Sequence, residues 1–461
     1  VASATRPLTQ HYPASGWVEH DADEIWRLSR DCLTEVADSV GAARIAGIGI
    51  TNQRETVVFW DKVSGEPVAR AIVWQDRRTA EMCAALKAHE ADVQAKTGLL
   101  LDPYFSGTKI RWALDNWPDV AAAHSQGRLL VGTVESWLIW KLSAGRTHVS
   151  DATNASRTLL MDLGSCQWDD GLLALLGVPR DVLPAIVDCA GVLASTELLG
   201  RPVPITGAAG DQQAAAIGQA CLAPGMLKAT YGTGCFLLAH AGAVPPRSRN
   251  RLLATVAWRL NGTPAYALEG AIFVAGAAVQ WLRDGLGIIV SSAETEALAQ
   301  SVPDSGGVTF VPALAGLGAP WWQPEARGQI SGLSGGTTRA HIARATLEAM
   351  GQQTVDLVDA LAADGVAAAS LRVDGGMVAN NWLCQDLADS LGLSVDRPRV
   401  IETTALGAAM LAGVGAGIFA DLAAAAAAMG GADRSFTPAI DAEARAARRA
   451  QWRAALNRVL A

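Results

Sequence analysis

The sequence predicts an α/β protein built as two units of comparable size around a cleft. Three observations predict it. The 461 residues exceed what one hydrophobic core serves, since single cores stop growing at about 250–300 residues. Half of the residues are hydrophobic and only 18% are charged, which suits well-buried sheets and excludes disorder. Short apolar runs alternate with helically spaced ones, and that order restarts beyond Cys221. The expected units are therefore 1–221 and 222–461.

In the first unit, residues 1–10 read as the tail of a strand already under way. Asp21 and Glu24 form a capping pattern, and Ile25, Leu28, Cys32, Val36 and Val40 keep helical spacing to Gly41. Residues 44–50 and 57–60 are expected strands, and a third ends at Trp74. A polar helix follows over 77–89, a loop over 99–108 and a helix over 134–142. The second unit reads as a meander over 226–230, 236–239 and 252–258, then a helix over 271–286 and a strand over 308–312. A long helix over 341–361, a strand over 371–374 and helices over 379–391 and 404–414 complete it. The Arg-rich segment 441–461 reads as a solvated surface helix.

The chemistry is expected around Val203 to Ala216. An apolar run crosses Gly210 and gives way to a helical pattern opened by Asp211. A carboxylate there meets unpaired helix N–H groups at the end of a strand; it can cap the helix or act on a ligand. Downstream, Thr230-Tyr231-Gly232-Thr233-Gly234-Cys235-Phe236 sets a Gly-Thr-Gly turn between apolar strands, a form that can aim backbone N–H groups at a phosphate. A base followed by a phosphate cradle suggests phosphoryl transfer to an alcohol. Arg54 and Glu55 offer a cation and a carboxylate to a polyol, or a structural salt bridge. Adjacent strand residues point to opposite faces, so both reach one ligand only if the backbone turns there. Trp74 can wall a small substrate or fill the core, and Tyr104 can reach a hydroxyl or merely pack. Gly276 and Gln280 near one helix start, and Asp374-Gly375-Gly376 before Asn380, are candidate nucleotide contacts; tight turns explain their glycines equally well.

Other classes are disfavoured. A net charge of −8 lacks the basic face that nucleic acid requires. Seven scattered cysteines form no C-x-x-C pair, which fits a reducing cytoplasm and neither zinc nor disulfides. No signal peptide is read, and the soft stretch 406–432 is interrupted by glycines and Asp421, so no membrane insertion is expected. No histidine is assigned to a metal. The P-loop pattern is absent, and Gly413, Gly415 and Gly417 make a poor dinucleotide fingerprint.

The motifs Gly49-Ile50-Thr51-Asn52-Gln53-Arg54-Glu55, Ile72-Val73-Trp74-Gln75-Asp76-Arg77-Arg78 and Asp102-Pro103-Tyr104-Phe105-Ser106-Gly107-Thr108 carry a resemblance. Gly210-Asp211-Gln212-Gln213, Tyr231 to Phe236 and Val373-Asp374-Gly375-Gly376 extend it over essentially the whole chain. Together they resemble the glycerol kinase branch of the FGGY carbohydrate kinases, in the actin/hexokinase/Hsp70-like superfamily. The resemblance implies two actin-like (ribonuclease H-like) lobes and ATP-dependent phosphorylation of glycerol to sn-glycerol 3-phosphate. It implies that Arg54, Glu55, Tyr104 and Asp211 hold glycerol, with Gln212 assisting and Trp74 and Phe236 as apolar wall. Asp211 would be the general base and would address magnesium through water. Thr233, Gly276, Gln280, Gly376 and Asn380 match positions that hold ATP. A dimer or tetramer is implied as well.

Two departures accompany the resemblance. The family's opening strand–turn–strand, with its D-Q-G-T-T-S phosphate loop, is not found in these residues. The first lobe is therefore expected to lack two strands, and these 461 residues alone are expected to phosphorylate glycerol poorly. The loop that binds fructose 1,6-bisphosphate in bacterial relatives is shortened around Leu198 to Pro202. A kinase for another small polyol and a non-catalytic polyol- or nucleotide-binding protein are the alternatives.

Overall fold

The structure is a computed structural model and describes residues 2–461. In the first half, a three-stranded sheet runs in the order Ala190–Thr196, Val203–Gly210, Ile48–Asn52. The last two strands are parallel and end together, with Gly210 opposite Asn52. Beside it, a four-stranded sheet joins Glu19–His20, Ala71–Ile72, Val57–Asp61 and Leu129–Thr133. Asp21 caps the helix Ala22–Val40 as expected, accepting from the amides of Asp23 and Glu24. That helix and Val134–Leu142 bury Trp137 and Trp140 against Trp60 of the four-stranded sheet.

The second half holds a seven-stranded sheet. Its order is Leu253–Leu260, Thr263–Ile272, Cys235–Gly242, Met226–Tyr231, Ser370–Asp374, Val395–Pro398 and Ala432–Phe436. Met226–Tyr231 and Ser370–Asp374 are parallel neighbours, so the Gly-Thr-Gly turn and the Asp374-Gly375-Gly376 segment leave the same edge. The long helix Arg339–Ala363 packs across this sheet, with Leu347, Met350, Leu357 and Leu361 in its main core.

The halves are not independent. Helix Thr403–Gly415, late in the chain, lies on the three-stranded sheet of the first half and against helix Asp211–Gly218. Small residues permit that approach. A Cβ on Gly407 would stand 1.8 Å from the Ala214 carbonyl oxygen, and one on Gly415 would stand 2.0 Å from that of Thr206. Gly415, set aside as part of a poor dinucleotide fingerprint, is thus a packing glycine.

Three expectations are corrected. The described residues of the opening segment, 2–10, form no strand. They have no sheet neighbour and are tied by side chains, with Glu24 accepting from Thr9 and His20 Nδ1 2.8 Å from the Thr9 carbonyl oxygen. The expected meander gains a fourth strand, Thr263–Ile272, and the following helix begins only at Gly276. The C-terminal helix Ala442–Leu460 is not merely solvated: Trp452, Ala455 and Leu456 are buried. Its arginines are spent on acids beneath, Arg448 on Asp386 at 2.6 Å and Arg449 on Asp356 at 2.5 Å.

Gly407→Ala tests the helix contact. Alanine gains about 1 kcal/mol in helix propensity, but its methyl meets backbone that cannot swing aside, so a net loss of about 3 kcal/mol is expected in urea unfolding. An unchanged or raised stability would refute the close packing.

Candidate active site

Two parallel strands that end side by side create a crevice, the usual ligand position in open α/β sheets. Here Ile48–Asn52 delivers Arg54 and Glu55, and Val203–Gly210 delivers Asp211. Asp211 is the first residue of its helix, and its side chain is 35% exposed. It is not the cap; Gly210 holds that position without a side-chain hydrogen bond.

The backbone does turn at Arg54-Glu55. Glu55 is left-handed, with φ 61°, and the Thr56 amide donates to the Arg54 carbonyl at 2.7 Å. Such a conformation is strained for a side-chain-bearing residue. It brings two neighbouring side chains into one buried cluster. Arg54 donates to Glu269 through two nitrogens, Nη1 to Oε2 at 2.6 Å and Nη2 to Oε1 at 3.1 Å. Arg157 donates from Nε to Glu55 Oε1 at 2.6 Å and from Nη2 to Glu269 Oε1 at 3.1 Å. Arg54 Nε stands 3.3 Å from Asp211 Oδ1. Charge therefore alternates along Glu55, Arg157, Glu269, Arg54 and Asp211, and all but Asp211 are almost wholly buried.

Burial raises the Glu55 carboxyl despite Arg54 and Arg157. Burial works to raise Glu269 too, but the guanidiniums of Arg157 and Arg54 outweigh it and hold the carboxyl at about 2. Neither Arg157 nor Glu269 is a candidate from the sequence. Gln212 accepts from the buried ammonium of Lys228 at 2.5 Å, a third unforeseen partner.

An aromatic wall adjoins this cluster. Trp74 meets Tyr104 edge-on, with centroids 5.7 Å apart, and Phe236 edge-on at 6.4 Å. All three rings are half-buried. Phe236 lies just past the Gly-Thr-Gly turn, so the wall joins the two halves across the cleft.

The turn itself is pinned. The Gly276 amide donates to the Gly232 carbonyl at 2.9 Å, and those of Ala275 and Ala277 donate to the Thr233 carbonyl at 2.9 and 3.0 Å. Gly375, at φ 93°, packs where a Cβ would stand 2.4 Å from the Tyr231 carbonyl oxygen. Gly232, Thr233 and Gly376 remain exposed, with open space above Gly376. Gln280 is exposed one helical turn beyond Gly276. Asn380 is committed in part: it caps helix Asn381–Leu391, accepting from Leu383 N at 3.0 Å, and its amide nitrogen lies 3.3 Å from Thr295 Oγ1. The structure thus gathers Arg54, Glu55, Trp74, Tyr104, Asp211, Gln212 and Phe236 in one group. Thr233, Gly276 and Gly376 form a second, with Gln280 and Asn380 at its margin.

The acid behaviour of the cluster is testable. Glu269 ordinarily titrates near 4.5 and is held at about 2 in the fold, so its contribution is present above 4.5 and lost as pH falls toward 2. Glu269→Gln should cost about 3 kcal/mol near neutral pH. The melting-temperature gap to wild type should then narrow steadily in acid, and a constant gap down to about pH 3 would refute the pairing.

Comparison with known proteins gives the family and the fold. Residues 1–218 match the N-terminal domain, and residues 227–416 the C-terminal domain, of the FGGY family of carbohydrate kinases. A protein of Rhodospirillum rubrum named glycerol kinase is 56% identical over 100% of this chain and 94% of its own length. A glycerol kinase of Alcanivorax borkumensis is 54% identical over 99% of this chain and 93% of its own. The crystal structure of Plasmodium falciparum glycerol kinase with ADP superposes with a TM-score of 0.94 at 36% identity, covering 98% of this chain and 92% of that one. The fold is a two-domain, actin-like α/β kinase fold, and this chain belongs to the FGGY family of carbohydrate kinases.

Proposed function

We propose that the protein transfers the terminal phosphoryl group of ATP to a primary hydroxyl of glycerol, giving sn-glycerol 3-phosphate and ADP. The observation that carries this reading is the position of Asp211. Its carboxylate is part-exposed in the cleft, 3.3 Å from Arg54 Nε, beside Glu55 and the Trp74–Tyr104–Phe236 wall. The naming of close relatives as glycerol kinases supports it.

The division of labour follows from chemistry. A triol offers donors and acceptors on one edge and hydrocarbon on the other. Arg54 and Glu55, with Tyr104 and Gln212, take the hydroxyls, and Trp74 and Phe236 take the carbon chain. Asp211 accepts the hydroxyl proton as the new O–P bond forms and the bond to the departing ADP breaks. Alignment and charge neutralisation supply most of the rate in such transfers.

The second group of residues fits a nucleotide. The glycines at 276 and 375 let three segments meet without side chains between them, while exposed Thr233 and Gly376 leave room for phosphate oxygens. Thr233, Gly276, Gln280, Gly376 and Asn380 would hold ATP. A magnesium ion takes one or two carboxylates together with substrate phosphates. On this reading Asp211 would meet it through water, and the ion would neutralise charge on the phosphates. The 1–221 and 222–461 units correspond, on this reading, to polyol-holding and nucleotide-holding lobes.

Purified full gene product, ATP, magnesium and glycerol test the proposal through ADP release. Turnover of a four- or five-carbon polyol but not glycerol would select a sister kinase, and glycerol binding without ADP release would select a silent binding protein. Asp211→Asn should lower kcat by about 10²- to 10⁴-fold with glycerol still bound; an unchanged kcat would remove Asp211 as base. Trp74→Ala should raise the glycerol KM about tenfold with little change in kcat. No change in KM would return Trp74 to the core.

A further inference from the structure

Lys109 is a wholly buried lysine in the first turns of helix Ser106–Asn116. Among the described residues no carboxylate pairs with it at salt-bridge distance. Its ammonium instead donates to two backbone carbonyls, that of Tyr104 at 2.7 Å and that of Glu55 at 3.5 Å. Ser106, one turn earlier on the same helix, donates to the same Glu55 carbonyl at 3.1 Å. Burying an unpaired ammonium costs several kcal/mol even after relaxation, and burial pushes Lys109 down to about 7 against the pull of Glu55, Asp76 and Asp102. Arg78 adds to the repulsion. A methionine of similar length would fill this space without that cost. What a methionine could not do is donate to the Tyr104 and Glu55 carbonyls.

What the lysine holds is informative. Glu55 sits in a left-handed conformation that persists only when its surroundings over-determine it. Tyr104 belongs to a loop far along the chain, and both residues face the polyol group described above. We propose that Lys109 is a positioning residue of the substrate site: it clamps the Glu55 turn to the Tyr104 loop, so that carboxylate and phenol address the same glycerol molecule. Ser106 is the second tether on the same turn. This inference rests on the glycerol-phosphorylating reading of the site.

The test is steady-state kinetics of the full gene product and its Lys109→Met variant, varying glycerol and ATP separately well below each melting temperature. The expected result is a glycerol KM raised about tenfold or more, with kcat and the ATP KM held within about twofold. A glycerol KM that stays at the wild-type value, or an equal rise in both KM values, would overturn the clamp. Should Lys109→Met fail to fold, Ser106→Ala decides. A glycerol KM raised about threefold at constant ATP KM supports the clamp, and an unmoved glycerol KM overturns it. A wild-type protein that phosphorylates no glycerol would overturn the functional reading itself; an active wild type with an unaffected variant overturns only the role of Lys109.

Discussion

Five side chains of alternating charge, Glu55, Arg157, Glu269, Arg54 and Asp211, hold the floor of the cleft. Three carboxylates and two guanidiniums leave one net negative charge, and the member left part-exposed is Asp211. Each buried member costs several kcal/mol to desolvate, so the set survives only because every neighbour is of opposite sign and within hydrogen-bond or ion-pair reach. The bidentate bond to Glu269 fixes the plane of Arg54 and hence the direction of its remaining donors. Glu269 comes from the second half of the chain and the others from the first. The geometry of the proposed polyol site and the joining of the two halves are therefore one electrostatic arrangement.

Much of this was legible in the sequence, and the parts that were not have identifiable causes. Asp211 stood out because a glycine-ended strand met a helix there. Arg54 and Glu55 were recognisable as a pair, with the stated condition that the backbone turn; the left-handed Glu55 meets it. Glu269 was hidden because Ala265 to Ala271 is rich in alanine and glycine, which masked a strand as the approach to a helix. A local signal did exist. Asn261-Gly262, both at positive φ, is a hairpin turn pair, and a lone glutamate inside an apolar run demands a buried partner. Arg157 gave no comparable sign, since its partners lie far away in sequence, and Lys109 gave none because what it holds is backbone carbonyl, that of Tyr104 and that of the distant Glu55. The C-terminal helix was misjudged for the same reason: its arginines read as solvated when the acids that receive them sit on other helices.

The aromatic group shows how a small site can select a small ligand. Trp74, Tyr104 and Phe236 meet edge to face, an arrangement favoured by their quadrupoles, and each ring braces another. A wall of this kind has a fixed position, so the space between it and the charged floor is set by the protein and not by the ligand. For the proposed polyol ligand, hydroxyls on one side and carbons on the other would then decide orientation before any bond is made or broken.

The helix Thr403–Gly415 carries a consequence for how the chain comes into being. The three-stranded sheet of the first half is covered on one side by residues met early, among them Ile139 and Leu142, and on the other by Thr403–Gly415, a segment translated long after the sheet itself. Until that segment leaves the ribosome, Gly49 and Gly207 face no partner, and the sheet carrying Asp211 stays open on that side. The half translated first is therefore completed only after much of the second, and the crevice beside Asp211 is not closed on that side until Thr403–Gly415 is made.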